Sequence, residues 1–205
     1  MKTTLRCELI SWHKIDRLAR GVAAQIRAAA FRPDLIVAIA RGGYVPARLL
    51  CDLLDVYELT SIRITHYHAG ANQQTQAALA SPLAVDIRDK HVLLVDDVSD
   101  SGDTLQVAIA HLQGFHPAQV KVAVLHHKTV SPIVPDFYGQ RVVKWRWIIY
   151  PWAMVEDIRG LLQRLPELPR DRQSAAQVLQ QAYGLRVPPG ALDEALGHSS
   201  KGSTA

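Results

Sequence analysis

Residues Val92 to Leu105 read VLLVDDVSDSGDTL. Four apolar residues lead into Asp96 and Asp97, and a stretch of small and acidic residues follows, closing on Gly102 and Thr104. A short continuous apolar run suits a strand covered on both faces. Its polar tail then reads as a strand end giving way to a helix, from about Gly102 to Gln113. The same grammar recurs on either side. DLIVAIA (Asp34 to Ala40) is a second apolar run, followed by the tight turn and helix of RGGYVPARLLCDLL. LTSIRIT (from Leu59), QVKVAVLHHK (Gln119 to Lys128) and VVKWRWIIY (Val142 to Tyr150) complete five expected strands. Upstream, Ser11 is placed to cap a helix whose apolar positions, from Trp12 through Ile15, Leu18, Ala19 and Val22 to Ile26, keep a 3.6-residue period. Strands alternating with helices imply right-handed crossovers and a mainly parallel sheet flanked by helices, an α/β fold. Ligands of such sheets bind beyond the carboxyl ends of the strands. Every unusual cluster in the chain falls at such an end: Arg41-Gly42-Gly43, Asp96 to Thr104, and Lys128.

At 205 residues, 48% hydrophobic and 20% charged, the chain has enough apolar material for one ordinary core and is not of disordered composition. No apolar run approaches the ~18 residues of a membrane span. The first residues, MKTTLRCELISW, lack the apolar block of a secretory signal. Cys7 and Cys51, at no framework spacing, point to a reducing cytoplasm. The net charge of +4 favours anionic small molecules, but Lys and Arg are scattered, and no basic block argues for a nucleic-acid arm.

The chemistry begins where the opening stretch turns polar. On spacing alone, Asp96 and Asp97 are two solvated acids at a strand end. The following segment changes that reading. Ser99, Ser101, Gly102 and Thr104 surround a helix start, where main-chain N–H groups and small side chains make a phosphate cradle. Two carboxylates beside an anion cradle match a ribose phosphate: diol to the acids, phosphate to the amides. It is not a Walker loop, because no Lys follows the glycine.

VLLVDDVSDSGDTL resembles the phosphoribosyl-pyrophosphate motif of the type I phosphoribosyltransferases. The resemblance implies a five-stranded parallel core sheet under a small hood. It implies that Asp96 and Asp97 hold the ribose hydroxyls, with Asp97 near Mg²⁺, and that Asp100, Ser101, Gly102, Asp103 and Thr104, with Ser99 before them, surround the 5′-phosphate. Other segments are similar to the 6-oxopurine branch, the xanthine-guanine and hypoxanthine enzymes. ARGGYVP looks like the pyrophosphate loop, in which Arg41 and the amides of Gly42 and Gly43 meet the pyrophosphate and the Arg41–Gly42 peptide is often cis. In the branch an acid at the place of Asp100 contacts the imidazole ring of the base, where a carboxylate takes the proton the base loses. A lysine at the place of Lys128 meets the 6-oxo group, and an ammonium cannot accept from the amine of adenine. WIIYPW (Trp147 to Trp152) is similar to the hood segment, in which Trp147 stacks on the purine and the Ile148 main chain meets its 2-substituent. The resemblance spans about residues 8 to 157. It implies purine salvage: phosphoribosyl pyrophosphate and a purine base as partners, arranged around catalytic Asp100, Lys128 and Arg41, in a homodimer or homotetramer.

Two features depart from the family pattern. The lid segment HAGANQQTQAALASPLAVDIR (His68 to Arg88) carries no Lys or Arg between Ala69 and Ile87, where many relatives have basic residues. Either Arg88 or a partner subunit assists, or the lid excludes water without binding charge. Asp103 is an acid beside a phosphate and is expected to face solvent. The pairs His66/His68 and His126/His127 do not close a zinc site, so Mg²⁺ carried in with the substrate is the expected metal. Three short helices, VEDIRGLLQRL, SAAQVLQQAYGL and GALDEALG, are expected after Met154. The expected organisation is a catalytic domain with its hood over 1–157, a helical extension over 158–197 and a disordered tail over 198–205. The alternative is a non-catalytic regulator that senses phosphoribosyl pyrophosphate or a nucleotide in the same pocket.

Overall fold

The Val92–Val95 run lies at the middle of a six-stranded sheet. The computed structural model describes residues 5–68, 75–169 and 171–197; the tail expected to be disordered, 198–205, lies outside the described residues, as does the 69–74 part of the lid. The elements in chain order are β1 (Cys7–Leu9), α1 (Trp12–Ala28), β2 (Leu35–Ala40), α2 (Tyr44–Leu54), β3 (Leu59–His68), β4 (Thr75–Ser81), β5 (His91–Ser99), α3 (Asp103–Gln113), β6 (Gln119–Lys128), β7 (Phe137–Val142), β8 (Trp147–Ile149), α4 (Met154–Leu162), α5 (Arg172–Tyr183) and α6 (Pro189–Leu196). Packing parts the chain into two units, His13–Lys144, and a second joining the described residues of 1–12 and 145–205.

In the first unit the strand order is β4-β3-β2-β5-β6-β7. The five strands from β3 to β7 are mutually parallel, and β4 is added antiparallel at the β3 edge. This is the expected five-stranded parallel core. β5 is sandwiched, with Leu94 opposite Val37 of β2 and Val122 of β6. Its side chains alternate. Leu93 and Val95 pack with Val22 and Ile26 of α1 and Leu50 of α2, while Val92 and Leu94 pack with Leu105, Ala108 and Leu112 of α3. Burying each such side chain contributes roughly 1.5–3 kcal/mol, which sets the register firmly. From β2 the chain winds outward to β3, then returns to lay β5 on the other side of β2. The winding reverses between β2 and β5, which is where doubly wound sheets bind ligands.

Two expectations about strands are corrected. The single strand expected over Val142–Tyr150 is two elements in different sheets: β7 ends at Val142, and β8 begins at Trp147 and pairs with β1. The charged Lys144 and Arg146 fall in the irregular link between them. Most of β7 precedes the expected strand, because Gly139, Gln140 and Arg141 interrupt its apolar pattern. Gly139 is required there: a Cβ would lie 2.9 Å from Leu18 Cβ of α1. The second correction is β4, which forms where only a loop was expected. Its alanines carry little strand preference, and pairing with β3 supplies what they lack.

In the second unit β1 and β8 form a parallel pair, Cys7 opposite Trp147 and Leu9 opposite Ile149. The three helices form where expected, and Ile158, Leu161, Leu179 and Leu192 pack with Ile149. α5 starts with a reciprocal cap, in which Ser174 N–H donates to the Asp171 carboxylate at 2.8 Å and Asp171 N–H donates to Ser174 Oγ at 3.4 Å. Residue 157, where the catalytic domain was expected to end, lies within α4.

Candidate active site

The ends of β2 and β5 meet. Asp96 and Asp97 are the sixth and seventh residues of β5. Asp96 is buried, and its Oδ1 accepts the Asp97 N–H at 2.9 Å. Burial, and then the neighbouring Asp97 charge, push the Asp96 carboxyl well above the usual carboxylate range. The Arg41–Gly43 turn lies flush against this strand end. A Cβ on Gly42 would fall 2.4 Å from Asp97 Oδ2, and one on Gly43 would fall 2.4 Å from Val95 O and 2.7 Å from Ile39 O. Gly43 needs glycine because a Cβ there meets fixed main chain, and Gly42 lets Asp97 keep its place, which explains the GG that sequence alone allows as an ordinary turn. Arg41 is exposed. The cis peptide is Ala40–Arg41, one bond earlier than expected from the family pattern.

Beyond β5 the chain passes Asp100 and Ser101 and turns at Gly102, whose φ of 90° lies in the left-handed region and which caps α3. Asp103 is exposed, as expected, and its carboxylate accepts from Ser101 Oγ at 2.9 Å. Thr104 Oγ1 shares a hydrogen bond with His66 Nε2 of β3 at 3.1 Å. Ser99 behaves differently from the cradle residue expected. It is buried, and its hydroxyl donates to Ser131 Oγ at 2.8 Å, anchoring the loop after β6 against the turn.

Lys128, the last residue of β6, is brought to Asp100. Its Nζ donates to Asp100 Oδ2 at 2.5 Å, with the lysine side chain only 3% exposed and the carboxylate 37%. The preceding His127 is buried, and burial, then the Arg141 charge, lower its pKa, which favours the neutral ring. Among the described residues no three His, Cys, Asp or Glu side chains gather as metal ligands.

Trp147 and Ile148 belong to the second unit. Ile148 is buried opposite Glu8 of β1. Trp147 is 38% exposed, its main-chain N–H donates to Arg6 O at 2.8 Å, and its indole N–H donates to Asp157 Oδ1 at 3.1 Å. Burial pushes the Asp157 carboxyl up to about 6, the Trp147 hydrogen bond opposing the shift. Trp152 stacks on Tyr150, ring centres 4.7 Å apart and planes within 8°.

One feature went unread in the sequence. Arg63 and His66 of β3 line an open cavity of about 740 Å³ that Arg41 also lines. Its signal is the polar set Ser61, Arg63, Thr65 alternating with Ile62 and Ile64.

The phosphoribosyl transferase domain family matches residues 8–157. The chain belongs to the phosphoribosyltransferases. Among curated relatives of this phosphoribosyltransferase, the xanthine-guanine phosphoribosyltransferase of Cereibacter sphaeroides is 32% identical, over 74% of this chain and 92% of its own. A purine phosphoribosyltransferase structure from Pyrococcus horikoshii superposes with a TM-score of 0.64 at 32% identity, over 72% of this chain and 95% of that one. A Neisseria gonorrhoeae protein solved with bound ppGpp gives a TM-score of 0.65 at 29% identity, over 73% and 90%.

Proposed function

We propose that this phosphoribosyltransferase moves the 5-phosphoribosyl group of phosphoribosyl pyrophosphate onto a 6-oxopurine, hypoxanthine, guanine or xanthine, in purine salvage. The observation that carries the choice of base is the Lys128–Asp100 pair beside the α3 cradle. It places a donor for an oxo group next to an acceptor for a ring proton. The name of the Cereibacter relative, xanthine-guanine, supports the same substrate class, and that of the Pyrococcus relative supports a purine.

In this reading the main-chain N–H groups of Ser101 to Thr104 hold the 5′-phosphate, Asp96 and Asp97 hold the ribose hydroxyls, and Arg41 with the Gly42 and Gly43 amides holds the pyrophosphate. Ser99 supports the turn from behind. When the base enters, Lys128 turns a hydrogen from Asp100 to the oxo group, which frees the Asp100 carboxylate. Trp147 stacks on the ring and the Ile148 main chain reads its 2-substituent. The bond from C1′ to the pyrophosphate oxygen breaks and the pyrophosphate leaves with its electron pair. A purine nitrogen forms the new bond to C1′, and the proton it sheds passes to Asp100. Holding both reactants in one site supplies several kcal/mol of the barrier lowering.

The donor set fits Mg²⁺ rather than a caged metal. Two adjacent carboxylates stand together, no group of three His, Cys, Asp or Glu gathers among the described residues, and one of the two has its charge disfavoured by burial. Mg²⁺ takes one or two carboxylates plus substrate oxygens and water. Asp97 would hold it, and the ion would neutralise charge on the pyrophosphate.

The reading includes a homodimer or homotetramer, which light scattering would measure, and a cytoplasmic setting in keeping with the free thiols of Cys7 and Cys51. No helix among the described residues is long and apolar enough to cross a membrane. The test is incubation with phosphoribosyl pyrophosphate, Mg²⁺ and each nucleobase. Monophosphate is expected from the oxopurines and none from adenine. The ppGpp bound to the Neisseria relative favours a second reading, a guanine-nucleotide sensor on the same scaffold. No turnover with any base, together with guanine-nucleotide binding, would select it.

A further inference from the structure

The lid of this chain leaves a charge deficit, and the neighbouring strand holds the cation that can meet it. In the β2–β3 register Arg63 stands opposite Ala40, next to the turn where Arg41 begins. Ile62 and Ile64 take the core face of β3. Strand alternation therefore puts Arg63 on the other face together with Ser61 and Thr65. Arg41 and Arg63 line the same cavity of about 740 Å³, along with the His66 imidazole and the hydroxyls of Tyr44, Ser61 and Thr65. No carboxylate is among the described residues lining it. The cavity is tied to both ends of the site. Tyr44 Oη and Ser61 Oγ share a hydrogen bond at 3.2 Å, holding the start of α2 to β3. His66 Nε2 bonds Thr104 at the head of α3 at 3.1 Å.

Two guanidinium groups in a cavity that also presents four hydroxyls and an imidazole beside Ala40 and Ile64, with no acid among its described lining residues, favour a multiply charged anion with many acceptor oxygens. We propose that Arg63 is a second guanidinium for the diphosphate group, working with Arg41 in place of the basic residues absent from the lid. This rests on the phosphoribosyl-transfer reading and adds a binding residue to it. Arg63 grips the diphosphate of phosphoribosyl pyrophosphate and keeps hold of it as the leaving pyrophosphate. It makes no contact with the base or the 5′-phosphate.

The test uses the full chain and three variants, Arg63→Ala, Arg63→Gln and Arg63→Lys, with thermal unfolding to confirm that each is folded. Calorimetric titration with Mg²⁺-pyrophosphate, with phosphoribosyl pyrophosphate and with a purine nucleoside 5′-monophosphate separates the ligands by the group they carry. Losing one charge-assisted contact should weaken both diphosphate ligands about 10- to 100-fold in the Ala and Gln variants and leave the monophosphate within about twofold. The Lys variant should recover part of the loss. Equal affinity for pyrophosphate in the parent and Arg63→Ala proteins would overturn the proposal. So would an equal loss for the monophosphate, which would mean general damage. These titrations need no turnover. A parent protein that turns over no oxopurine but binds pyrophosphate through Arg63 would refute the choice of base and leave Arg63 in place.

Discussion

Asp100 has two neighbours that define its work. Its carboxylate is tied to the buried Lys128 ammonium, and it stands one residue before the turn proposed to hold the 5′-phosphate. Asparagine at this position keeps an oxygen for Lys128 to donate to, so the fold should survive while the proton acceptor is lost. Asp100→Asn is expected to lower kcat by ~10²–10⁴ with affinity for phosphoribosyl pyrophosphate retained. Turnover at the parent rate would remove Asp100 from the mechanism. Asp157 gives a prediction in pH. Its carboxyl, pushed up to about 6, is favoured in its protonated form by the fold. The stability it contributes is therefore complete below about pH 4, near the ordinary carboxylate value, and is lost as the pH rises through about 6. Asp157→Asn preserves an acceptor for the Trp147 indole N–H and removes the titration. The fall in Tm between about pH 4 and pH 7 should become shallower than in the parent. An unchanged slope in melts across that range would contradict the assignment.

At the scale of elements, the site exists because two turns meet at the reversal of the sheet. The glycines of the β2 turn divide the labour. A Cβ at 43 meets rigid main chain, the carbonyls of Val95 and Ile39, whereas a Cβ at 42 meets the tip of the Asp97 side chain, which can swing away. Gly43→Ala should cost about 1–3 kcal/mol of stability by overpacking. Gly42→Ala should cost much less stability and weaken phosphoribosyl pyrophosphate instead, because it displaces Asp97. Melting temperature and ligand titration on the two variants measure the contrast; equal effects would contradict it. These elements also show how far the sequence could be read. β5, β2 and β6 are runs buried on both faces, and helices follow β2 and β5, so apolar continuity and turn chemistry located them and, with them, the Arg41, Asp96–Thr104 and Lys128 clusters. β7 and β4 were not legible, because a polar or alanine-rich edge strand is stabilised by its partner rather than by its own side chains. β8 merged with β7 in reading because its partner, β1, lies about 140 residues away in sequence. Ser99 shows the limit at a single site. Its position in the motif gave no sign that its hydroxyl anchors Ser131. Arg63 carries no motif of its own: it stands on the polar face of an alternating strand before the lid, where a solvated arginine is ordinary.

For the whole molecule, strand order carries the consequence. The chain reverses its winding between β2 and β5, and on the first unit the Ser101–Thr104 turn proposed to hold the 5′-phosphate, the paired aspartates and the cavity lined by Arg41 and Arg63 all border that reversal. Trp147 and Ile148 belong to the second unit. The most direct measurement is a crystal structure of the protein grown with a 6-oxopurine nucleoside 5′-monophosphate. The 5′-phosphate is expected on the amides of Ser101 to Thr104, the ribose hydroxyls on Asp96 and Asp97, and the 6-oxo group on Lys128 in place of Asp100. A nucleotide bound elsewhere, with Lys128 still on Asp100 and no phosphate at the head of α3, would contradict the assignment.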